Sequence, residues 1–366
     1  MKVLFLTNIP SPYRVDFFNE LGKYCDLTVL FEKNKADNRE WTSDINKNYN
    51  AVFLKGRSMG NDKALCFEVI EFIRQNFDCI IIGGYSTPTG MLAIKYLSFK
   101  KIPFILSSDG GFIRHERKIN YLIKKHFICS ANYYLSSGKA TSKYLIHYGA
   151  KKDNIFNYPF TSLYKSDVLT APISSDEKKI LRNKLNLPDG KIVICVGQMI
   201  SRKGIDILLK AAENFDKNIY TYIIGGKPTD EYLKIIKDNN LKKIYFLNFM
   251  NKENLYEYYK AADLFVLPTR EDIWGLVINE AMANGLPIIT TNKCIAGLEL
   301  INGNGYIVPT DDFNAISLMV NEILSNPVKQ VNLSIKSLKI IKEYTIENMA
   351  QKTYKILKVI ENEIKK

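Results

Sequence analysis

The acidic residues Asp272 and Glu280 could accept hydrogen bonds from hydroxyl groups of a ligand. They are separated by seven residues, with Asp272 in a charged loop after the apolar run Leu264–Leu267 and Glu280 in an otherwise apolar stretch. Burying an unpaired carboxylate is costly, so Glu280 must find donors, and ribose and sugar hydroxyls are suitable ones. The alternative interpretation is that both acids are solvated and are favoured by the dipole at the start of a helix.

A second segment, Val196–Asp206, combines glycines with two adjacent cations. It follows an apolar run and precedes a helical pattern, and Arg202 and Lys203 stand immediately before Gly204. The free amides at a helix N-terminus attract anions, whereas cations at that end oppose the helix dipole unless an anion binds there. The segment therefore predicts a diphosphate site, and a basic turn in solvent is the alternative.

The elements that must position these residues alternate regularly along the chain. Short apolar runs and helical patterns follow one another throughout, which predicts α/β architecture with parallel sheets. A helix is expected at Lys63–Asn76, and the stretch Asn154–Pro172, with its prolines and turn residues, is expected to be a linker. Ligands of parallel sheets bind at the carboxyl ends of the strands, so we expect the site in a cleft between two such layers.

Composition limits the classes of protein that the chain can represent. Of its 366 residues 46% are hydrophobic, no apolar run has the length of a membrane span, and the six cysteines show no paired spacing. These features predict a cytoplasmic protein. The net charge of +13 is concentrated in residues 1–172, which hold 24 Lys and Arg against 15 Asp and Glu. Such an excess is compatible with nucleic acid, an anionic membrane, a phosphorylated substrate or solubility alone.

The two chemical segments, their order and their separation resemble the C-terminal domain of family 4 retaining glycosyltransferases of the GT-B type. Further similar segments are Ile-Gly-Gly-Lys-Pro at 224–228 and Ala-Ala-Asp-Leu-Phe-Val-Leu-Pro at 261–268. The likeness spans most of Lys191–Leu324, and in the first half it depends on topology and on the loop Ser107–Gly111. It implies two Rossmann-like domains, residues 1–170 on the acceptor side and residues 171–345 for the nucleotide sugar. A C-terminal helix, 346–366, is expected to pack back on the first domain.

The resemblance also implies roles for individual residues. The ribose of the nucleotide would be held by Glu280, donor-sugar hydroxyls by Asp272, and the diphosphate by Lys203. The donor-binding set implied in this way comprises Gly197, Arg202, Lys203, Glu271, Asp272, Gly275, Leu276 and Glu280. The chain departs from the family pattern in two places, because the first acid is Asp272 rather than Glu and because Gln198 replaces an arginine. Glu271 could substitute for the former in a shifted register, and Arg202 could supply the missing charge.

By this resemblance the chain transfers a sugar from a nucleotide diphosphate to a glycan or polyprenyl-linked or other lipid-linked acceptor, with retention of configuration. Surface polysaccharide synthesis (capsule, O-antigen or exopolysaccharide) is the expected setting. No cofactor or metal is expected, and the chain has no Asp-X-Asp triplet and no histidines at ligand spacing. A catalytically inactive GT-B partner subunit is one alternative. A nucleotide-dependent oxidoreductase is another, although the Gly-X-Gly-X-X-Gly pattern that it would need is missing.

In the first domain, Asp109 is a candidate catalytic residue that would orient the acceptor or a distal donor hydroxyl. An ordinary residue of an Asp-Gly turn is the alternative. The loop Thr7–Arg14 is stiffened by prolines, and ligand contacts are expected from it, with Asn8, Ser11, Tyr13 and Arg14 as the candidates.

The segment Arg114–Phe127 has a helical apolar stripe among basic residues. The stripe comprises Ile119, Leu122, Ile123 and Phe127, and the cations around it are Arg117, Lys118, Lys124 and Lys125. Such a helix can lie on the anionic inner face of the plasma membrane. Packing of the stripe into the core is the alternative, and the one favoured by the sequence. No nucleic-acid-binding motif is present, so nucleic acid is not an expected partner.

Overall fold

Continuous apolar runs form the parallel strands of two separate sheets, one in each of two units. The computed structural model describes residues 1–34, 48–60 and 62–365. Unit 1 comprises Met1–Ser162 and Tyr344–Lys366, and unit 2 comprises Leu163–Glu343. Strands that are covered on both faces are apolar at consecutive positions, as in Val-Leu-Phe-Leu of the first strand, which is buried throughout.

Unit 1 begins with strands and helices in alternation. Its elements in chain order are β1 Lys2–Thr7, α1 Pro12–Leu21, β2 Asp26–Phe31, β3 Asn50–Phe53, β4 Arg57–Ser58, β5 Ala64–Leu65, α2 Val69–Ile73, β6 Cys79–Ile82, α3 Pro88–Lys100, β7 Ile105–Ser108, α4 Lys118–Ile128, β8 Tyr133–Ser136, α5 Lys139–His147 and β9 Ile155–Asn157. The large sheet has the order β3-β2-β1-β6-β7-β8-β9, and its neighbouring strands are parallel. A small antiparallel pair, β4 and β5, lies outside it.

Unit 2 repeats the alternation. Its elements are α6 Ser175–Lys184, β10 Lys191–Val196, α7 Ile205–Ala212, β11 Ile219–Ile224, α8 Asp230–Asp238, β12 Ile244–Leu247, α9 Lys252–Ala261, β13 Leu264–Leu267, α10 Leu276–Ala283, β14 Ile288–Thr291, α11 Ile295–Leu300, β15 Gly305–Val308, α12 Phe313–Leu324 and α13 Pro327–Ile341. The strand order is β12-β11-β10-β13-β14-β15, all parallel. This is the order of a doubly wound, Rossmann-like sheet.

The direction of winding reverses between β1 and β6 in unit 1 and between β10 and β13 in unit 2. In doubly wound sheets a crevice for ligands opens at this point, beyond the carboxyl ends of the strands. The loops that follow β10 and β13 carry both chemical segments of unit 2. The topology therefore brings these segments to the same edge of one sheet.

The last helix, α14 Ile346–Ile364, belongs to unit 1, where it packs against α1 and β6. The sequence predicts domain boundaries at 170/171 and 345/346, and the structure divides the chain at 162/163 and 343/344. In the described residues, no helix has both the length and the apolar character that crossing a bilayer requires.

Three local features differ from the sequence predictions. The expected helix Lys63–Asn76 is instead β5 followed by the five-residue α2, because Thr89 on α3 ties this segment down in extended form. Its hydroxyl donates to the carbonyl of Ala64 and accepts from the amide of Cys66. The expected linker Asn154–Pro172 does contain the boundary between the two units, at 162/163, but its first part forms β9, which extends the sheet of unit 1. Helix α11 was not expected at all.

The apolar stripe of α4 is largely exposed, contrary to the core-packing interpretation. Ile119, Leu122 and Ile123 are 64%, 51% and 45% exposed, whereas Phe127 and Ile128 at the end of the helix are buried. An ion pair of Lys124 with Glu116, at 2.7 Å, ties α4 to the preceding loop. The helix is therefore attached to unit 1 by its C-terminal turn and by Tyr121, whose hydroxyl donates to the carbonyl of His147, and it exposes the first part of its stripe.

Candidate active site

A tight turn follows β10 and leads into α7. It contains a short 3-10 segment, Ser201–Lys203, and then Gly204, whose φ of 68° lies in the left-handed region. A Cβ at position 204 would lie 2.1 Å from the carbonyl oxygen of Pro268, so only glycine permits this approach. The glycine therefore brings the start of α7 against the loop after β13.

Backbone hydrogen bonds connect the loop after β13 with the segment that follows β14. The amide of Asp272 donates to the carbonyl of Lys293 at 2.8 Å, and the amide of Ile295 donates to the carbonyl of Asp272 at 3.2 Å. Gly275, with φ 99°, then turns the chain into α10. These bonds fix the position from which the Asp272 side chain projects.

The two loops bring four of the predicted site residues together. The Lys203 ammonium lies 2.5 Å from Oδ2 of Asp272, and each of these side chains is 13% exposed. The Arg202 guanidinium donates to the carbonyl of Glu271 at 2.7 Å and lies 3.8 Å from Oδ1 of Asp272. The predicted diphosphate cations and the predicted sugar-binding acids are thus neighbours at the carboxyl edge of the sheet.

Glu280 lies one helical turn into α10, half-buried, and contacts α9. The hydroxyl of Tyr259 donates to its Oε2 at 3.3 Å. Burial raises the pKa of Tyr259 well above its ordinary value, and the Glu280 charge adds to this effect. The tyrosine is therefore a permanent donor, and it supports one oxygen of the carboxylate.

The remaining predicted residues of unit 2 line the same edge. Gly197 directly follows β10, and a Cβ there would contact the methylenes of Lys203 at 3.4 Å. Leu276 is the half-buried first residue of α10. Gln198, which stands where the family has an arginine, is exposed.

Asp109 belongs to unit 1, where donors from three residues converge on its carboxylate. The guanidinium of Arg14 and the hydroxyl of Tyr158, at 3.3 Å, donate to Oδ1, and the hydroxyl of Tyr13 lies 3.5 Å from Oδ2. Arg14, another residue of the first loop from which a ligand contact is expected, is only 4% exposed and is engaged with Asp109.

The other candidates of the first loop are also engaged within unit 1. The side-chain amide of Asn8 donates to Asp62 at 2.8 Å. Ser11 is buried at the start of α1. Tyr13, half-buried, is thus the residue of this loop that combines partial exposure with proximity to Asp109.

Sequence reasoning did not single out Arg270. Its guanidinium donates to both carboxylate oxygens of Asp206, at 2.6 and 2.9 Å, and to Asp311 at 2.8 Å. The sequence does place Arg270 in the same loop as Asp272, and it places Asp206 two residues after Gly204. Neither position belongs to a motif that predicts a contact with the other, so the pairing of Arg270 with Asp206 is visible only in the structure.

The fold and this site define the class of protein, a Rossmann-like α/β chain with two cations and two acids on neighbouring loops at its switch point. Residues 177–347 match the model of the family described as glycosyl transferases group 1. This part of the chain, a little under half of its length, is similar to that family, and the two Rossmann-like halves have the fold of GT-B glycosyltransferases.

Individual proteins are similar to the same part of the chain or to more of it. An alpha-galactosylglucosyldiacylglycerol synthase of Streptococcus pneumoniae is 30% identical over 186 residues, which are 49% of each chain. An uncharacterized 41.2 kDa protein in the cps region of Klebsiella pneumoniae is 24% identical over 71% of this chain and 74% of its own. The chain spans about half the length of the first curated relatives that it matches.

Among solved structures, Anabaena HepE in complex with UDP superimposes with a TM-score of 0.78. The comparison covers 98% of this chain and 100% of that one at 15% identity. At this identity the likeness concerns the fold alone.

Proposed function

We propose that the protein transfers a sugar from a nucleoside diphosphate sugar to a hydroxyl group of a glycan or lipid-linked acceptor, with retention of configuration. The observation that carries this proposal is the contact of Lys203 with Asp272, beside Arg202, at the switch point of unit 2. A cation that receives phosphate and a carboxylate that receives sugar hydroxyls must be adjacent, because the two halves of the donor are joined by one bond.

The chemistry assigned to these residues is stabilisation of a leaving group. The bond between the anomeric carbon and the diphosphate oxygen breaks, and a bond from the same carbon to the acceptor oxygen forms on the same face. The proton of the acceptor hydroxyl passes to the departing phosphate oxygen. Cations already in place at Arg202 and Lys203 stabilise the negative charge that develops on the diphosphate, and Glu280 holds the ribose.

The proposed reaction needs no metal ion or cofactor, since the cations of the turn perform the neutralisation. We expect transfer to continue unchanged in EDTA. Sugar transfer that is lost in EDTA and restored by Mg²⁺ or Mn²⁺ would contradict this part of the proposal.

The test is a titration of the purified protein with UDP, GDP, ADP and dTDP, followed by the corresponding nucleotide sugars. Binding of a ligand stabilises the native state, so one nucleotide should raise the melting temperature. Lys203→Met should abolish that shift, whereas Lys184→Met, a lysine exposed on α6 of the same unit, should preserve it. Absence of a shift with every nucleotide overturns the proposal.

An inactive partner subunit is the second candidate, and the specific observation in its favour is the exposed Gln198. The two functions differ in one outcome. An inactive subunit binds the nucleotide but releases no nucleoside diphosphate from any donor sugar, with or without acceptor. An active enzyme releases it.

For the acceptor we propose a lipid-linked glycan at the inner face of the plasma membrane, in surface polysaccharide synthesis. The exposed stripe of α4 supports the membrane contact, because Ile119, Leu122 and Ile123 stand on a helix that also carries Lys118 and Lys125. A basic, apolar helix face complements anionic lipid. The relative from the Klebsiella cps region supports the polysaccharide setting.

Vesicle flotation tests the membrane contact. Phosphatidylglycerol vesicles should carry the protein upward, and phosphatidylcholine vesicles should not. The double variant Ile119→Gln/Leu122→Gln should remain at the bottom, while Ile180→Gln/Leu318→Gln, which replaces equally exposed residues of unit 2, should float. Equal flotation of the two double variants would contradict the assignment to α4.

A further inference from the structure

Arg270 joins three parts of unit 2 through its side chain. One nitrogen, Nη1, donates to the Ser201 carbonyl at 2.7 Å and to Asp206 at 2.9 Å, Nη2 donates to Asp206 at 2.6 Å, and Nε donates to Asp311 at 2.8 Å. A two-pronged bond between guanidinium and carboxylate fixes direction as well as distance. The side chain therefore connects the loop after β13 with the turn after β10 and the loop after β15.

The same residue also fixes the turn through its backbone. The amide of Arg270 donates to the carbonyl of Arg202 at 2.8 Å, and the hydroxyl of Thr269 donates to that carbonyl at 2.9 Å. Two successive carbonyls of the turn, those of Ser201 and Arg202, are thus held by residues 269 and 270. Their peptide planes set the direction in which Arg202 and Lys203 leave the backbone.

The charge that Arg270 compensates lies at the proposed anion site. Asp206 is in the first turn of α7, two residues after Gly204, and it is 8% exposed. A carboxylate at that end of the helix is favoured by the dipole, but it repels a phosphate that approaches the same amides. The cations around the turn are Arg202, Lys203 and Arg270, and the acids are Asp206, Glu271, Asp272 and Asp311. Because these acids outnumber the cations, the loss of one cation should weaken the binding of an anion at the turn.

We propose that Arg270 is a positioning residue for the diphosphate: it orients the turn that carries Arg202 and Lys203, and it neutralises Asp206, without itself contacting phosphate. This inference depends on the proposed function, because it specifies how the diphosphate end of the donor is received. It predicts that removal of Arg270 weakens diphosphate binding mainly through the charge left on Asp206.

The experiment measures dissociation constants by calorimetry for inorganic pyrophosphate and for the nucleoside diphosphate that the unaltered protein binds best. Arg270→Gln should weaken both by about tenfold or more, the effect of one uncompensated charge near the ligand. The double variant Asp206→Asn/Arg270→Gln should recover most of the lost affinity, since the repelling charge is removed together with its partner.

A matched control separates this effect from loss of stability. Arg182 also pairs with a buried carboxylate of unit 2, Asp263 at 2.7 Å, but it stands on α6 and bonds the amino-end side of the sheet. Arg182→Gln should lower the melting temperature and leave the affinity for both ligands unchanged. A double variant that binds as weakly as Arg270→Gln would show that charge compensation is not the mechanism.

The failure of this inference and the failure of the proposed function are distinguishable. If the unaltered protein binds the nucleotide and Arg270→Gln binds it equally well, Arg270 has no positioning role and the transferase proposal stands. If the unaltered protein binds neither pyrophosphate nor any nucleotide, both proposals are overturned.

Discussion

Arg14 donates from a nearly fully buried position on α1 to the carboxylate of Asp109, which is partly open to solvent in the loop after β7. The side chains are 5% and 30% exposed, respectively. The Arg14 guanidinium also lies over the rings of Phe5 and Phe160, 5.6 and 5.8 Å from their centroids. An arginine enclosed in this way depends on the Asp109 carboxylate for compensation of its charge.

Because Arg14 is more deeply buried than Asp109, substitutions of the two residues should lower the free energy of unfolding by different amounts. Asp109→Asn leaves a buried guanidinium without its counter-charge and should lower the free energy of unfolding by about 3 kcal/mol. Arg14→Met leaves a carboxylate that water can reach, and should cost less. The double variant should be more stable than Asp109→Asn alone. Urea unfolding measures all three, and strictly additive effects would show that the two residues are not coupled.

Glu32, directly after β2, is a buried carboxyl group of unit 1 that has no role in the proposed chemistry. It is 4% exposed and accepts hydrogen bonds from the hydroxyl of Thr87 at 2.6 Å and from the amide of Ala64 at 3.4 Å. Burial outweighs these bonds and raises the pKa of Glu32 from 4.5 to about 7. The folded protein therefore keeps a proton at pH values where the unfolded chain has lost it.

This difference predicts a decline of stability with rising pH. Between pH 4.5 and about 7 the native state binds more protons than the unfolded state, so the free energy of unfolding falls, by on the order of 3 kcal/mol in total. Glu32→Gln should remove this contribution, and its stability relative to the unaltered protein should increase across that range. Urea titrations at pH 5 and pH 8 provide the measurement. Glu71→Gln, at an exposed position of α2, is the control for the same chemical substitution outside the core.

The sequence predicted the parallel strands and the paired segments at 196–206 and 268–280 because apolar runs and glycines act locally. Predictions failed where a contact between distant residues decides the structure. Ala64 lies in a strand because the Thr89 hydroxyl binds its carbonyl, and β9 forms because the edge of β8 is available for pairing. The stripe of α4 has helical spacing whether it faces the core or solvent, so spacing could not reveal its exposure.

In the candidate site, too, residues with local sequence signals were predicted and residues that depend on distant partners were not. Lys203, Asp272 and Glu280 belong to residue types with an evident chemistry, and their segments could be recognised without a structure. Arg270 and Arg14 act through Asp206 and Asp109, which lie 64 and 95 positions away along the chain. No local pattern encodes those pairings, so they follow only from the sheet order.

Two tyrosines on α9 provide a matched pair near Glu280. Tyr259 donates to the carboxylate, whereas the Tyr256 hydroxyl is buried and has no hydrogen-bond partner among the described residues. Loss of a bond to a charged acceptor costs about 1.5–3 kcal/mol, whereas removal of an unsatisfied buried hydroxyl is neutral or stabilising. Tyr259→Phe should therefore lower the melting temperature and weaken nucleotide binding, and Tyr256→Phe should do neither. Equal behaviour of the two variants would show that Tyr259 does not support Glu280.

Alanine substitutions at Gly204 and Gly303 distinguish the effect of backbone strain from the effect of displacing the turn that carries Arg202 and Lys203. Both have a left-handed φ, 68° and 75°, so an alanine at either should cost about 1–2 kcal/mol. At 303 the new Cβ would meet only the tip of the Lys336 side chain at 3.1 Å, which can move. At 204 it would meet the backbone carbonyl of Pro268 at 2.1 Å, which cannot move without shifting the loop that holds Arg202.

The two variants should therefore differ in nucleotide binding as well as in stability. We expect Gly303→Ala to retain the nucleotide affinity of the unaltered protein at a reduced melting temperature. Gly204→Ala should lose affinity by about tenfold or more, because displacement of the loop separates Lys203 from Asp272 and disturbs the Arg270 bonds. Calorimetric titration at a temperature well below both melting transitions measures the difference. Retention of full affinity by Gly204→Ala would mean that the close approach of the turn to Pro268 is not needed for ligand binding.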